Sequence, residues 1–105
     1  MSDNTYNGWT NYETWLVKLW MDNSEGDQKY WTGETAEVIA AREEFPVSRL
    51  AERIRNWLDE IIDFHNDSVG ESGLIADLLT GAIGAVNTFE IARHLLDDLE
   101  EEEEE

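Results

Sequence analysis

The stretch Trp9–Asn23, W-T-N-Y-E-T-W-L-V-K-L-W-M-D-N, commits the chain to a helix near its start. Thr10 and Glu13 stand three apart, the spacing of a capping box, in which the hydroxyl accepts from a first-turn N–H and the carboxylate reaches back. A carboxylate in the first turn also suits the positive end of the helix dipole. Tyr12, Trp15, Leu16, Leu19 and Trp20 then fall at i, i+3, i+4, i+7 and i+8, which draws one broad apolar stripe. The opposite row, Asn11, Thr14, Lys18 and Asp22, is polar. The reading is a first helix over about Asn11–Asn23 with Trp15 and Trp20 in the core, because each indole can bury roughly 150–250 Å². The other use for rings clustered as Trp9, Tyr12, Trp15 and Trp20 are is an exposed aromatic platform. Nucleic-acid bases, which such platforms stack, are poor partners for so acidic a chain.

Four more helices follow from the pattern. Ahead of the first, residues 1–9 read as a flexible lead-in, with Tyr6 tacking it down. The run Asp22–Asp27 invites comparison with a calcium loop, with Asp22, Ser24 and Gly26 at the first, third and fifth places, but the sixth place, which needs glycine, is Asp27, so the match fails. Ser24–Asp27 is instead a loop and a cap. The second helix runs from about Glu25 to Glu44, with Tyr30, Trp31, Val38, Ile39 and Ala36 or Ala40 inward; Gly33 and Thr35 are its weak points. Its outer row, Glu34, Glu37 and Glu44, has no base at matching spacing. Phe45-Pro46 closes it, since the residue before proline avoids the α region.

The third helix, about Val47–Asn66, carries the cleanest stripe: Leu50, Ile54, Trp57, Leu58 and Ile61. Arg49–Glu52, Glu52–Arg55 and Arg55–Asp59 are spaced to pair along its outside, and His65 suits the negative end of its dipole. A linker at 66–73 with Ser72 as cap leads to a fourth helix, about Gly73–Val86. Leu74, Ile75, Leu78, Leu79, Ala82, Ile83 and Val86 make it apolar nearly all round, which places it at the centre. Gly81 and Gly84, each costing about 1 kcal/mol against alanine, imply a close helix crossing. Asn87 and Glu90 repeat the capping-box spacing, and the fifth helix runs to about Leu99 with Phe89, Ala92, Leu95, Leu96 and Leu99 inward. The fold class is therefore all-α, a compact bundle of about five helices in one domain over 10–99, with 100–105 as an acidic tail, disordered or frayed.

Charge bounds the partners. Twenty-five acids against seven bases give −18, and taking away the six glutamates at 100–105 changes this only to −12. Nucleic acid and anionic membranes would be repelled, since no counterions are released by such a surface. A basic protein is the expected partner. Zero cysteines leave no disulfide and no thiolate metal site. The absence of a long apolar run or a basic-then-apolar start points to a cytoplasmic protein.

Catalytic parts are missing from the sequence. There is no cysteine nucleophile and no serine in a strand-to-helix turn, and no glycine-rich loop follows a strand. His65 and His94 lack the partner spacing of a zinc helix. The expectation is a chain that is not an enzyme and takes no cofactor or metal.

N-Y-E-T-W at Asn11–Trp15, the following L-W and D-N, D-L-L at Asp77–Leu79 and E-I-A-R-H-L-L at Glu90–Leu96 resemble a family of small uncharacterised proteins from bacteriophages and other mobile or prokaryotic genomes. The resemblance implies a domain of unknown function and carries over no active site. Together with the charge it suggests an acidic decoy, a DNA mimic that occupies the basic groove of a nucleic-acid-binding or host-defence protein. Because helix-surface carboxylates lie about 5–6 Å apart and duplex charges about 1.7 Å apart along the axis, a mimic needs rows from several helices. Glu34, Glu37 and Glu44 beside Asp97 and Asp98 form the candidate face. The competing reading is an accessory interaction domain whose acidity serves solubility or a salt-rich cytoplasm. One continuous negative face favours the decoy, and an even spread favours the accessory domain.

Overall fold

The computed structural model describes residues 5–42, 44–69 and 73–104, and these form an all-α bundle. Its helices are α1 Tyr12–Asn23, α2 Glu25–Ala40, α3 Pro46–Val69, α4 Leu74–Gly84 and α5 Thr88–Glu104. Among the described residues, β geometry is confined to an isolated bridge between Tyr6 and Trp9, and no single helix is long and apolar enough to cross a membrane. The expected cap Ser72, residues 1–4 and 105, and the side chain of His65 lie outside the described residues.

Helix ends follow local chemistry. Ser24 alone separates α1 from α2, ending one and capping the other with its Oγ, which accepts from Asp27 N at 3.3 Å. Pro46 opens α3, a position where its missing N–H costs nothing. Asn87 Oδ1 accepts from Glu90 N at 3.1 Å at the start of α5. The second helix ends at Ala40, short of Glu44, where Ala41 caps it and Arg42 takes a left-handed φ of 52°. Gly33 and Thr35 do not break it; Thr35 is buried and donates its hydroxyl to Trp31 O at 2.7 Å.

The core is built between α3 and α5. Leu50, Ile54 and Leu58 meet Ile91, Ala92 and Leu96, with Trp31, Val38, Met21 and Val86 closing round them. Trp57 and Leu95 are half-buried against this cluster, and Trp57 stands edge-on to Trp31 with centroids 5.4 Å apart. Tyr30, Ala36, Ala40, Ile61 and Phe89, expected inward, are exposed. Tyr30 and Phe89 sit at the flanks of faces whose centres are Trp31–Thr35–Val38 and Ile91–Ala92–Leu96, Ala36 and Ala40 fall toward the far side of α2, and Ile61 continues the Leu50–Ile54–Leu58 line beyond the core.

The largest correction concerns α4, which is peripheral. Leu74, Ile75 and Leu78 are 72%, 65% and 60% exposed, and Ala76 is the buried residue of the helix. Its main neighbour is α3, and its C-terminal end is what is tied down. The Arg55 guanidinium donates to Ile83 O and Val86 O, both at 2.7 Å, and Asn11 Nδ2 donates to Ala85 O at 2.8 Å. Arg55 thus serves the carbonyls at the end of α4 rather than the expected row with Asp59. A Cβ on Gly81 or Gly84 would meet open space, so the inferred close crossing is not made among the described residues.

Past Leu58, α3 leaves the core, and Asp59, Glu60, Ile61, Asp63 and Phe64 are exposed. At the other end, α5 runs past Leu99 to Glu104, carrying the helix into the glutamates. Both projections appear in a radius of gyration of 15.0 Å, against about 13 Å for a domain near this length.

Candidate protein-binding surface

The first helix sits the other way round from its hydropathy. Thr14, Lys18 and Met21 face the core, while Tyr12 and Trp20 are 48% and 66% exposed and Trp15, Leu16 and Leu19 are half-buried. At 100° per residue the two sets are opposite faces of one helix. What seats the polar side is hydrogen bonding. Asn11, not Thr10, is the cap: its Oδ1 accepts from Thr14 N at 2.9 Å and from Thr14 Oγ1 at 2.6 Å. Thr14 Oγ1 in turn accepts from Asn87 N at 2.9 Å.

Thr10 serves the far end of the chain instead. Its N–H donates to Glu90 Oε1 at 2.9 Å, and its hydroxyl accepts from Asn87 Nδ2 at 3.2 Å. Lys18 lays its stem in the interior and places Nζ 2.8 Å from both oxygens of Asp22, so its charge is met at the surface. Because every one of these polar groups has a partner, their burial is affordable and the rings are left outside.

The segment before α1 shapes that outer face. Asn7 and Gly8 have φ of 48° and 88°, and Tyr6 and Trp9 exchange two backbone hydrogen bonds of 2.8 Å. Two left-handed central residues make a type I′ turn, for which Asn-Gly is the preferred pair. Residues 5–9 are therefore a built turn, where a flexible lead-in was expected. Trp9 lies over His94 of α5 with centroids 4.2 Å apart, which fixes the turn to the bundle. Tyr6 then stands 5.1 Å from Tyr12, edge-on, and 4.7 Å from Trp15, while Tyr12 and Trp15 are 5.7 Å apart. The rings hold one another in place, and Trp20 extends the same face along α1.

The acidic candidates are not gathered into one row. Glu34 and Glu37 lie on the flank of α2 that faces α3, where Arg53 Nη1 approaches them at 3.4 and 3.8 Å. Glu34 also accepts from the Tyr30 hydroxyl at 3.2 Å. The base missing at helical spacing comes from the neighbouring helix. Glu44 is exposed in the connection to α3. Asp97 borders a groove with Arg42 and Arg93, and Asp98 borders another of about 440 Å³ between α1, α2 and α5. In that second groove Lys18 and Asp22 are already paired with each other. Among the described residues no group of three His, Asp or Glu is placed to hold a metal ion.

Trp20, expected in the core, is exposed together with Tyr12, as the aromatic-platform alternative has them, and the Asn7-Gly8 pair is the sequence signal that places Tyr6 beside them. Residues 2–103 match the model of a family described as a family of unknown function (DUF7249). No curated protein and no solved structure matches the chain.

Proposed function

The chain belongs to that family of unknown function, and from this premise we propose that it is a small acidic protein-binding domain whose aromatic α1 face grips a basic partner. The observation that carries the reading is the cluster of exposed Tyr6 and Tyr12 with half-buried Trp15, mutually in contact, and exposed Trp20 beyond it. Exposed rings in a group mark an interaction surface, and rings that brace each other lose little entropy on binding. On a body of charge −18 such rings suit arginine, whose guanidinium stacks on an aromatic face while carboxylates nearby receive its charge. The net charge would steer a basic partner in at a rate that falls with salt.

The finer reading, a DNA-mimic decoy, rests on charge. Exposed carboxylates occur on all five helices, from Asp22 on α1 through Glu37, Asp59 and Asp77 to Asp98 on α5. That spread supports the interaction domain over a single duplex-like face. The resemblance of Asn11–Trp15 to phage and mobile-element proteins supports a host protein as the partner in either case. Titration with a deca-arginine peptide separates the two readings. Tyr12→Ala combined with Trp20→Ala should weaken binding by about tenfold, since a cation–π contact contributes roughly 0.5–2 kcal/mol, and deca-lysine should bind less well than deca-arginine. Glu34→Gln, Glu37→Gln and Glu44→Gln together should have the smaller effect. If the glutamine variant loses binding and the aromatic variant keeps it, the decoy reading replaces this one.

A further inference from the structure

The outward face of α4 is apolar, uncharged and uncovered, and its layout is self-complementary. Leu74, Ile75 and Leu78 occupy its first two turns, all more than half exposed. Gly81, Ala82 and Ala85 continue the same face through the last turn and are exposed as well. Ala76, the buried residue, lies on the opposite side and outside the main core cluster. Charge is excluded from the region. Between Gly73 and Thr88 the sequence has one acid, Asp77, and no base, in a chain with 25 acids among 105 residues. Depletion of charge at the centre of an exposed apolar face is the compositional mark of a protein interface.

We infer that this face joins a second copy of the chain, α4 packing antiparallel on α4 about a two-fold axis. Large side chains fill one half of the helix face and small ones the other. A two-fold axis across the middle sets Leu74, Ile75 and Leu78 of each copy against Gly81, Ala82 and Ala85 of its partner. The same residues on both sides satisfy each other, as an isologous interface requires. Ridges of leucine then enter grooves floored by glycine and alanine, which brings the helix axes close. The crossing that Gly81 makes possible, and that none of the described residues of the same chain uses, is thereby made between chains. A patch of two short helical segments is small against the roughly 1,200–2,000 Å² that standard specific interfaces bury in total, so association is expected to be weak, at micromolar concentration or above.

Salt separates this interface from the binding proposed above. Each copy carries −18, so two copies repel until the Debye length shrinks from about 10 Å at 0.1 M to about 3 Å at 1 M. Self-association should strengthen with salt, whereas capture of a basic partner should weaken. Sedimentation equilibrium in both salts is the test. The protein should move toward twice its 12.1 kDa mass as concentration rises, and further in 1 M salt. Leu78→Lys and, separately, Ile75→Lys should stay at the single-chain mass in both salts with unchanged helical circular dichroism, while Tyr12→Ala should dimerise like the parent. Both lysine variants replace exposed residues, and if one fails to fold the other decides. A parent that remains at 12.1 kDa at the highest concentration in 1 M salt overturns the proposal and leaves the face to a different occupant. Folded lysine variants that dimerise as the parent does overturn it too, by placing the contact elsewhere. Neither result touches the basic-partner reading, which is read by deca-arginine titration of the α1 face.

Discussion

A threonine on α1 should matter more to stability than a tryptophan six residues later. Thr14 is fully buried, and its Oγ1 accepts from Asn87 N at 2.9 Å while donating to Asn11 Oδ1 at 2.6 Å. Thr14→Ala strands the Asn87 N–H, a loss of about 1–3 kcal/mol for a covered donor. The missing methyl adds about 0.8 kcal/mol, and the better helix propensity of alanine returns about 0.5 kcal/mol. The net is roughly 1.3–3.3 kcal/mol, or about 5–25 °C in melting temperature for a domain of this size. Trp20 is 66% exposed. Complete burial would make its loss worth about 3–5 kcal/mol; a third of that, less the propensity gain, is about 0.5–1 kcal/mol for Trp20→Ala. Thermal melts followed by far-ultraviolet circular dichroism compare the two directly. If Trp20→Ala melts below Thr14→Ala, α1 is seated by its aromatic stripe and the hydrogen-bonded face described above is wrong.

Two further outcomes are expected. Arg55→Met removes both donors to Ile83 O and Val86 O, each charge-assisted bond being worth about 1.5–3 kcal/mol, so amide exchange across residues 74–84 should quicken at least about tenfold; unchanged protection would show that α4 is held by something else. Partial desolvation first, and then the Glu34 carboxylate beside it, raise the Tyr30 phenol above its ordinary 10.0. The unfolded chain gives up that proton at lower pH than the folded one. Its contribution to stability is therefore whole below the ordinary value and fades as pH climbs through the folded one. Tyr30→Phe should flatten that alkaline loss, and a Tyr30 phenolate band that rises at or below pH 10.0 would refute the assignment.

What the sequence disclosed and what it hid divide by range. Caps and breaks are local, so Ser24, Pro46 and Asn87 mark helix starts correctly, and the Leu50–Ile54–Leu58 stripe finds the core because α3 is amphipathic there. Faces fail where the deciding partner is distant. Thr14 is seated by Asn87, 73 positions away, and no periodicity can reveal that. Likewise α4, apolar almost all round, gives no clue to which side is outward; Arg55 and Asn11 decide it from other helices. The charge balance of the α2 row is hidden for the same reason. Glu34 and Glu37 lack a base along their own helix and find Arg53 across the gap to α3. Lys18, finally, reads as surface by residue type, yet Asp22 one turn on lets its stem go inside.

The links from Thr10, Asn11 and Thr14 to Ala85, Asn87 and Glu90 also set the order in which the molecule can complete itself during synthesis. A chain emerges N-terminus first, at about 5–20 residues per second, so the turn and α1 leave the ribosome long before their acceptors and donors exist. Through that interval α1 has neither of its sides secured. The α1–α2 pair can form through Ser24, but the polar side of α1 stays wet until the start of α5 appears. Closing a loop of more than seventy residues is then the late, slow step, and a nascent chain halted before Asn87 would hold its first helix in a state open to capture by chaperones.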